Sequence, residues 1–567
     1  MEFIEKKTAD KGIAHFLNKA ADQEASLVWD RYEGQLPECG FCEAGLSCRD
    51  CLQGPCISHP FRNSSKSGVC GKDKDVLAVQ SLLRLAIKGC MAQLDQLNDL
   101  ARDVRASSLE PKASAETAEL LRRVQELFTD GGGENLKSFP KTMTRNWESA
   151  GVGPAGVASD LFKASQKLEG GISRMEDHLL WAFRTALLAC LARTLKDRLQ
   201  KAVFGGKTPT QLEVDLGLLQ SGRANVLLYG PFSPVLKHKI AQAAEGKNVA
   251  LMGVCTDPLL PPYQFPPVTS YGSQEIPIMT GAVDLIVAGD QFVNPSLAHL
   301  AREWQVKVIP TEQVVSQGNP DALAREIVAQ AQKAFELRRD ISRDIPVQKT
   351  TAVMGFSPAD LNVEKIAAGL DGGKIKGIVL LAGCNNVKYT QDYEFVAMAQ
   401  EFLKNDILCL AEGEAGVSLA KYGFLDPQRN GEFCGDGVKE VLASLGGNVP
   451  AVPDCNATDF LLALVDLGKK GIGDYPIAAY FAEASRSTDV AQAMWLVAMG
   501  VPVYFWPCLP VTGSPATVKA LTELCGEKFG AALHVLTQKM EPKAKADIFL
   551  REIIKPAAMS GKPWQAT

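Results

Sequence analysis

Histidine is scarce in this chain: six of 567 residues, at positions 15, 59, 178, 238, 299 and 534. So few imidazoles cannot supply the ligands and proton carriers of a histidine-rich centre, and no Ser, His and Asp order points to a hydrolytic triad. No run of eighteen apolar residues exists, which excludes a membrane-spanning helix of ordinary length. A basic excess is also missing: 60 Lys and Arg against 65 Asp and Glu give a net charge of -5, with no electrostatic footprint for nucleic acid. The opening MEFIEKKTADKG lacks the apolar segment of a secretory signal, so the expected compartment is the cytoplasm. Phosphate and dinucleotide loops are absent too. GGKT at 205–208 has Lys201 where a phosphate loop requires glycine and no apolar strand before it, and GLDGGKIKG at 369–377 reads as a Gly-rich linker.

Cysteine is what the chain has. Six of its fifteen cysteines lie in CGFCEAGLSCRDCLQGPCISHPFRNSSKSGVC, from Cys39 to Cys70. Cys48, Cys51, Cys56 and Cys70 are separated by two, four and thirteen residues, a compact turn with one distant ligand, as thiolate iron–sulfur sites often are. Cys39 and Cys42 form a separate CxxC pair. A zinc ribbon needs about 15 to 20 residues between its pairs, whereas five separate Cys42 from Cys48. A disulfide framework suits small secreted chains. Glycines at 40, 45, 54, 68 and 71 let backbone amides turn toward sulfur.

A length of 567 residues implies several domains. Apolar residues recur at helical spacing in DVLAVQSLLRLAIKGCMAQLDQL and near 115–128, 159–168 and 175–203. From about residue 222 the rhythm becomes ANVLLY, NVALMG, VDLIVA and VKVIP, alternating with helical segments. From about 374 it becomes GIVLLAG, DILCLAE, PIAAYF, VPVYFWP and LHVLT. Such alternation predicts parallel sheets. The expected architecture is an all-helical, cluster-binding domain over 1–221 and two doubly wound α/β domains over 222–373 and 374–567. Ligands of such sheets sit beyond the carboxyl ends of strands. Cys255, Cys384 and Cys455 fall at such ends, and GEFCGDG offers Cys434 as a loop ligand. Any one of them alone reads as a small buried hydrophobe, as do Cys190 and Cys409; together they suggest a shared metal site.

CRDCLQGPC with GVCG, continuing through LLRLAIKG, TGAVDLIV, GCNN and PVTGS, resembles the anaerobic nickel–iron carbon monoxide dehydrogenases of the prismane and hybrid-cluster superfamily. The resemblance covers nearly the whole chain. It implies a 4Fe-4S cluster on Cys48, Cys51, Cys56 and Cys70. It also implies a 2Fe-2S or 4Fe-4S cluster shared across the twofold axis of a homodimer by Cys39 and Cys42, with Ser47 where many members place the second bridging cysteine.

At the active cluster the resemblance matches Cys255, Cys384 and Cys455 and fails elsewhere. Tyr229 and Pro231 stand in the turn that carries the family histidine, and Phe292 and Glu414 replace two cysteines. Gln93, Gln96 and Asp99 replace a histidine relay, and the family lysine falls at Ser487 or Thr488. Glutamate is a hard donor suited to oxidised iron rather than nickel. The resemblance therefore implies an iron–sulfur oxidoreductase that passes electrons from a ferredoxin-like carrier through the N-terminal clusters to a modified iron–sulfur–oxygen centre. Glu414 is catalytic there, Cys255, Cys384, Cys434, Cys455 and Glu414 are metal ligands, the substrate is a small molecule, and efficient CO oxidation is lost. Hybrid-cluster proteins, which reduce compounds such as hydroxylamine, are the analogy. The alternatives are a genuine nickel–iron carbon monoxide dehydrogenase and an electron-transfer subunit with an empty cavity. His238, on the helix after the YGPF turn, reads as a packing residue.

Overall fold

Leucines recurring every three or four residues after Lys74 place one apolar stripe on a helix. In the computed structural model, which describes residues 6–553 apart from 60–65, 108, 132, 173, 313–318, 339, 469 and 536–539, they form the 33-residue helix α1 (Lys74–Ala106). Asp73 caps it, accepting hydrogen bonds from the amides of Asp75 and Val76 at 3.0 and 2.9 Å. Leu82, Leu83, Ile87, Leu94, Leu97 and Leu100 are buried against α2 (Met175–Phe204), a helix apolar nearly all round and accordingly central. Trp147 donates its indole N–H to the carbonyl of Ala498 at 2.7 Å, fastening this helical region to the last third of the chain. No helix among the described residues is long and apolar enough to cross a membrane.

Two five-stranded parallel sheets follow. The first contains β1 (Ala224–Tyr229), β2 (Val249–Val254), β3 (Pro267–Thr269), β4 (Val283–Ala288) and β5 (Lys307–Pro310), in the order β5-β4-β1-β2-β3. The second contains β6 (Gly377–Ala382), β7 (Ile407–Ala411), β8 (Ile477–Phe481), β9 (Val503–Phe505) and β10 (Leu533–Val535), in the order β7-β6-β8-β9-β10. Every residue of β1, β4, β6, β7 and β8 is buried. Strands covered by helices on both faces must be apolar throughout, which is why they appear in the sequence as uninterrupted runs. Each expected run forms a strand, although residues 536 and 537 of LHVLT lie outside the described residues.

Three features depart from the expected pattern. Residues 210–214, inside the stretch read as helical, form a strand paired antiparallel with Thr350–Met354. TQLEV buries only Leu212 and Val214, so it contains no apolar run to read. β3 contains a proline and was equally invisible. The domain read as all-helical also holds a two-stranded ribbon, Ser47–Cys48 with Cys56–Ile57, and it opens on two short helices, Lys11–Asp22 and Val28–Glu33, with residues 1–5 outside the described set. The first of these is pinned by Asp10, which lies 3.2 Å from the buried Lys421 ammonium; Asp392 lies 2.5 Å from the same group.

Candidate active site

The N-terminal sulfur-rich loop is shaped by a minimal ribbon. Ser47–Cys48 pairs antiparallel with Cys56–Ile57, so that Cys48 faces Cys56. The loop carrying Cys70 returns to the same place: the Val69 amide donates to Cys56 Sγ at 3.4 Å. Asp50 anchors the turn to α1 through a bidentate hydrogen bond from Arg84, at 2.7 and 2.9 Å. Cys39 precedes a short helix, Gly40–Glu43, and accepts the Cys42 amide at its carbonyl, 2.9 Å away. Hydrogen bonds from the Cys42 backbone and side chain lower the Cys39 thiol below its ordinary range. Both cysteines are exposed, and all fifteen are free thiols. Cys48 and Cys56 paired across a ribbon, the loop bearing Cys70 folded back onto them and an amide aimed at Cys56 suit a thiolate-bound cluster. The exposed pair suits a group shared with another surface.

The second site is built from strand ends. Cys255 follows β2 and Tyr271 follows β3; Phe292 lies on the loop after β4. From the other sheet, Cys384 follows β6, Glu414 begins the helix α3 (Glu414–Ala420) after β7, and Arg486 caps the helix α4 (Ser487–Ala498) after β8. All six lie beyond carboxyl ends, where such sheets place ligands. Cys255 and Phe292 hold left-handed backbone, with φ of +55° and +64°, a conformation uncommon for residues other than glycine and retained where surrounding structure enforces it. Gly230 enforces the second: with its own φ at +69°, a Cβ there would stand 2.2 Å from the Gln291 carbonyl.

The electrostatics are those of a buried site. Burial pushes the Cys255 thiol well up, with the Glu414 charge adding to the effect and Arg486 opposing it. Burial and Asp489 do the same to Cys384, whose Sγ lies 3.8 Å from Asp489 Oδ1. Glu414 is raised by burial against the pull of Arg486 and of the Tyr271 amide, which donates to its Oε2 at 2.9 Å. The Arg486 guanidinium is stacked between two rings, 3.7 Å from the Tyr271 centroid and 3.8 Å from that of Phe292. Its three nitrogens are shielded from solvent and have no hydrogen-bond partner. Among the described residues, no three His, Cys, Asp or Glu side chains are arranged to hold a single metal ion. Two thiols and one carboxylate spread around a cavity fit a polynuclear iron core better than one ion, and the donor set offers nothing specific to nickel.

The family model described as Prismane/CO dehydrogenase family matches residues 46–129 and 131–539. The chain belongs to the Prismane/CO dehydrogenase family. It is 28% identical to carbon monoxide dehydrogenase 2 of Carboxydothermus hydrogenoformans, over 98% of this chain and 99% of that one. It is also 28% identical to carbon monoxide dehydrogenase 1 of Methanosarcina acetivorans, over 96% and 97%. Among solved structures, carbon monoxide dehydrogenase IV from Carboxydothermus hydrogenoformans superposes with a TM-score of 0.90 at 28% identity, covering 98% of this chain and all of the other. A nickel-free carbon monoxide dehydrogenase from Thermococcus sp. AM4 gives 0.89 at 26%, covering 99% and 100%.

Within this Prismane/CO dehydrogenase scaffold the structure brings together Cys255, Cys384 and Glu414, but not the other two expected ligands. The charges acting on the Cys455 thiol are those of Asp454, Asp459, Glu412 and Asp360. Cys434 lies in the hydrophobic core, where its charge acts on Cys409. The Tyr229 hydroxyl is buried and donates to the Gln274 carbonyl at 2.8 Å. His238 packs its ring against Phe204 and Tyr263, as a packing residue should.

Of the relay positions, Gln96 belongs to a fixed amide network, while the buried Gln93 leaves its Oε1 without a partner. Lys196 donates to Gln96 and Gln96 to Gln291, each at 2.8 Å, and Gln291 donates to Asp95 at 2.8 Å. This braces the turn that carries Phe292. Asp99, raised by burial to about 6, pairs with Arg102 at 2.7 Å.

Sequence reasoning missed Arg486 and Tyr271. The reading of a lost cation at Ser487 or Thr488 is corrected by Arg486, one residue earlier, whose guanidinium occupies the cavity. Arg486 follows PIAAYF by five residues, so the strand-end rule puts it near the site, but nothing in its neighbours marks it as buried.

Proposed function

We propose that this chain is an iron–sulfur oxidoreductase of small molecules, working through a modified centre rather than a nickel-containing one. In this reading Cys48, Cys51, Cys56 and Cys70 hold a 4Fe-4S cluster. Cys39 and Cys42 share a 2Fe-2S or 4Fe-4S cluster with the same pair of a second copy, and a ferredoxin-like carrier supplies electrons. Cys255, Cys384 and Glu414 hold an iron–sulfur–oxygen centre between the sheets. Cys434 and Cys455 are left out of that set because the charges around them belong to other groups. The observation that carries the reading is the convergence of two thiols and one carboxylate from both sheets on one buried site, where each acts on the charge of another.

Bound there, such a centre would supply stored electrons and Lewis-acidic iron. The chain's own residues do the rest. Burial lifts the Glu414 carboxyl above its ordinary range, and the Tyr271 amide fixes its Oε2, leaving the other oxygen to meet the centre. Phe292 and Tyr271 exclude water from one wall.

Anaerobic reconstitution with iron, with and without nickel, tests the proposal. Expected are iron beyond the N-terminal clusters' complement, hydroxylamine-type reduction with reduced viologen, and negligible CO-dependent dye reduction. Stoichiometric nickel with robust CO oxidation would establish a genuine carbon monoxide dehydrogenase, which the 28% identical relatives favour. Iron confined to the N-terminal loop would establish an electron-transfer subunit, which the aromatic filling of the cavity favours.

A further inference from the structure

Asp392 lies on the loop that carries Cys384, wholly buried, and its backbone is left-handed, with φ of +66°. Such a conformation in a residue other than glycine persists only where its surroundings over-determine it. Four partners do so here. Asp392 Oδ1 accepts the Asn385 side-chain amide at 2.9 Å and the Ser270 hydroxyl at 3.3 Å. Its Oδ2 lies 2.5 Å from the Lys421 ammonium. The Asp392 backbone amide donates to Glu483 Oε2 at 3.2 Å, and the Asn385 side chain donates to the same oxygen at 3.0 Å.

Three of these partners adjoin the site. Asn385 follows Cys384, Ser270 precedes Tyr271, and Lys421 closes helix α3, whose first residue is Glu414. Ser270 follows a strand of the first sheet, while Asn385 and Lys421 follow strands of the second. Asn385 adds a tie of its own, since its Oδ1 accepts the Gly272 amide at 3.2 Å. Asp10 lies 3.2 Å from the Lys421 ammonium on another side, which fixes that group between two carboxylates. A buried ammonium stays with such partners, because leaving it unpaired is strongly unfavourable. The Asp392 charge also reaches Glu414, adding to the rise that burial imposes on that carboxyl.

We infer that Asp392 is a positioning residue of the site, one carboxylate that holds the segments bearing Cys384, Tyr271 and Glu414 in fixed register across the two sheets. It acts through Asn385, Ser270 and Lys421 and not by touching those three residues. A polynuclear centre needs its donors at set separations, and groups behind the ligands commonly set them. This inference rests on the proposed function and deepens it: the register of Cys384 and Glu414 is fixed by the protein itself, before iron arrives.

Hydrogen–deuterium exchange of the metal-free full-length protein tests it, with iron analysis of the anaerobically reconstituted protein alongside. Asp392→Ala should speed exchange at least threefold in residues 269–274, 384–393 and 414–421 together, while β1 and β6 stay protected. It should also at least halve the iron held between the sheets without changing the visible absorbance of the N-terminal clusters. Asp392→Asn keeps an acceptor for Asn385 and Ser270 and accommodates the left-handed backbone, but it loses the charge that faces Lys421. It should therefore loosen 414–421 and leave 269–274 as in the wild type. Faster exchange confined to 384–393, the loop of Asp392 itself, would mark a local structural role and overturn the inference. So would unchanged exchange of 414–421 in Asp392→Asn, a result that decides even if Asp392→Ala fails to fold. Coupled loosening in a protein that takes up no iron between the sheets leaves this inference standing and removes the proposed centre. Iron bound there, with exchange indifferent to both substitutions, does the reverse.

Discussion

Glu414 accepts a 2.9 Å hydrogen bond from the backbone amide of Tyr271, and this bond joins the carboxyl end of one sheet to that of the other. The carboxylate proposed as a ligand is thereby held by the opposite sheet.

Glu414→Gln keeps an acceptor for that amide and removes the charge. Iron at the centre between the sheets should fall by at least half, while absorbance of the N-terminal clusters stays constant. Glu414→Ala leaves the Tyr271 amide unpaired as well and should lower unfolding free energy by about 1–3 kcal/mol. Iron analysis and denaturant titration separate the two effects.

Cys56→Ser tests the N-terminal assignment. The thiol faces Cys48 and receives the Val69 amide, so its loss should remove about four iron atoms per chain and the corresponding reduced-state paramagnetic signal. Cavity iron, counted after selective reconstitution, should not change.

Gly89 on α1 faces the start of α4: a Cβ there would lie 2.4 Å from the Ser487 carbonyl oxygen and 2.8 Å from Ala491 Cβ. Gly89→Ala should therefore cost about 1–3 kcal/mol of stability, as overpacking does. A variant with normal stability would contradict this packing.

Asp215 supplies a pH dependence. Burial raises its carboxyl to about 6, with Asp10 adding to the rise and Lys421 opposing it. Between about pH 4 and pH 6 the native state thus holds a proton that the unfolded state has lost. Stability consequently declines as pH rises through that window, and the penalty is complete above it, at most about 3 kcal/mol. Asp215→Asn preserves an acceptor for the Leu216 amide, now 2.8 Å from Oδ1, and leaves the strained φ of +105° as it is. Its stabilising effect should be absent at pH 4, grow to pH 6 and then level off in thermal unfolding.

Much of this fold is legible because buried parallel strands must be apolar on both faces. ANVLLY, VDLIVA, GIVLLAG and PIAAYF could hardly be anything else. TQLEV could not be read, since a ribbon with one wet face carries only Leu212 and Val214 as evidence. At the site, Cys255 and Cys384 were legible because cysteine stands out and the strand-end rule is general. Arg486 was not. ASRSTD looks like an ordinary polar capping loop, and only the tertiary approach of Tyr271 and Phe292, some two hundred residues earlier, turns it into an enclosed cation. Cys455 shows the converse: proximity to a strand in sequence did not bring its thiol to the cavity, because the Cys455 amide bonds the Ala411 carbonyl at 2.9 Å and seats the residue among acids.

Helix α1 touches every part of this arrangement. Arg84 grips the sulfur loop through Asp50, Gly89 abuts Ser487, and Gln96 braces the Phe292 turn through Gln291. Twelve residues, about 18 Å of a single rod, thus act as a ruler between the sulfur-rich loop and the strand-end loops of both sheets. Inserting one residue between Arg84 and Gln96 would rotate its two ends about 100° out of phase, turning the sulfur-rich loop away from those strand ends without altering any residue proposed as a ligand.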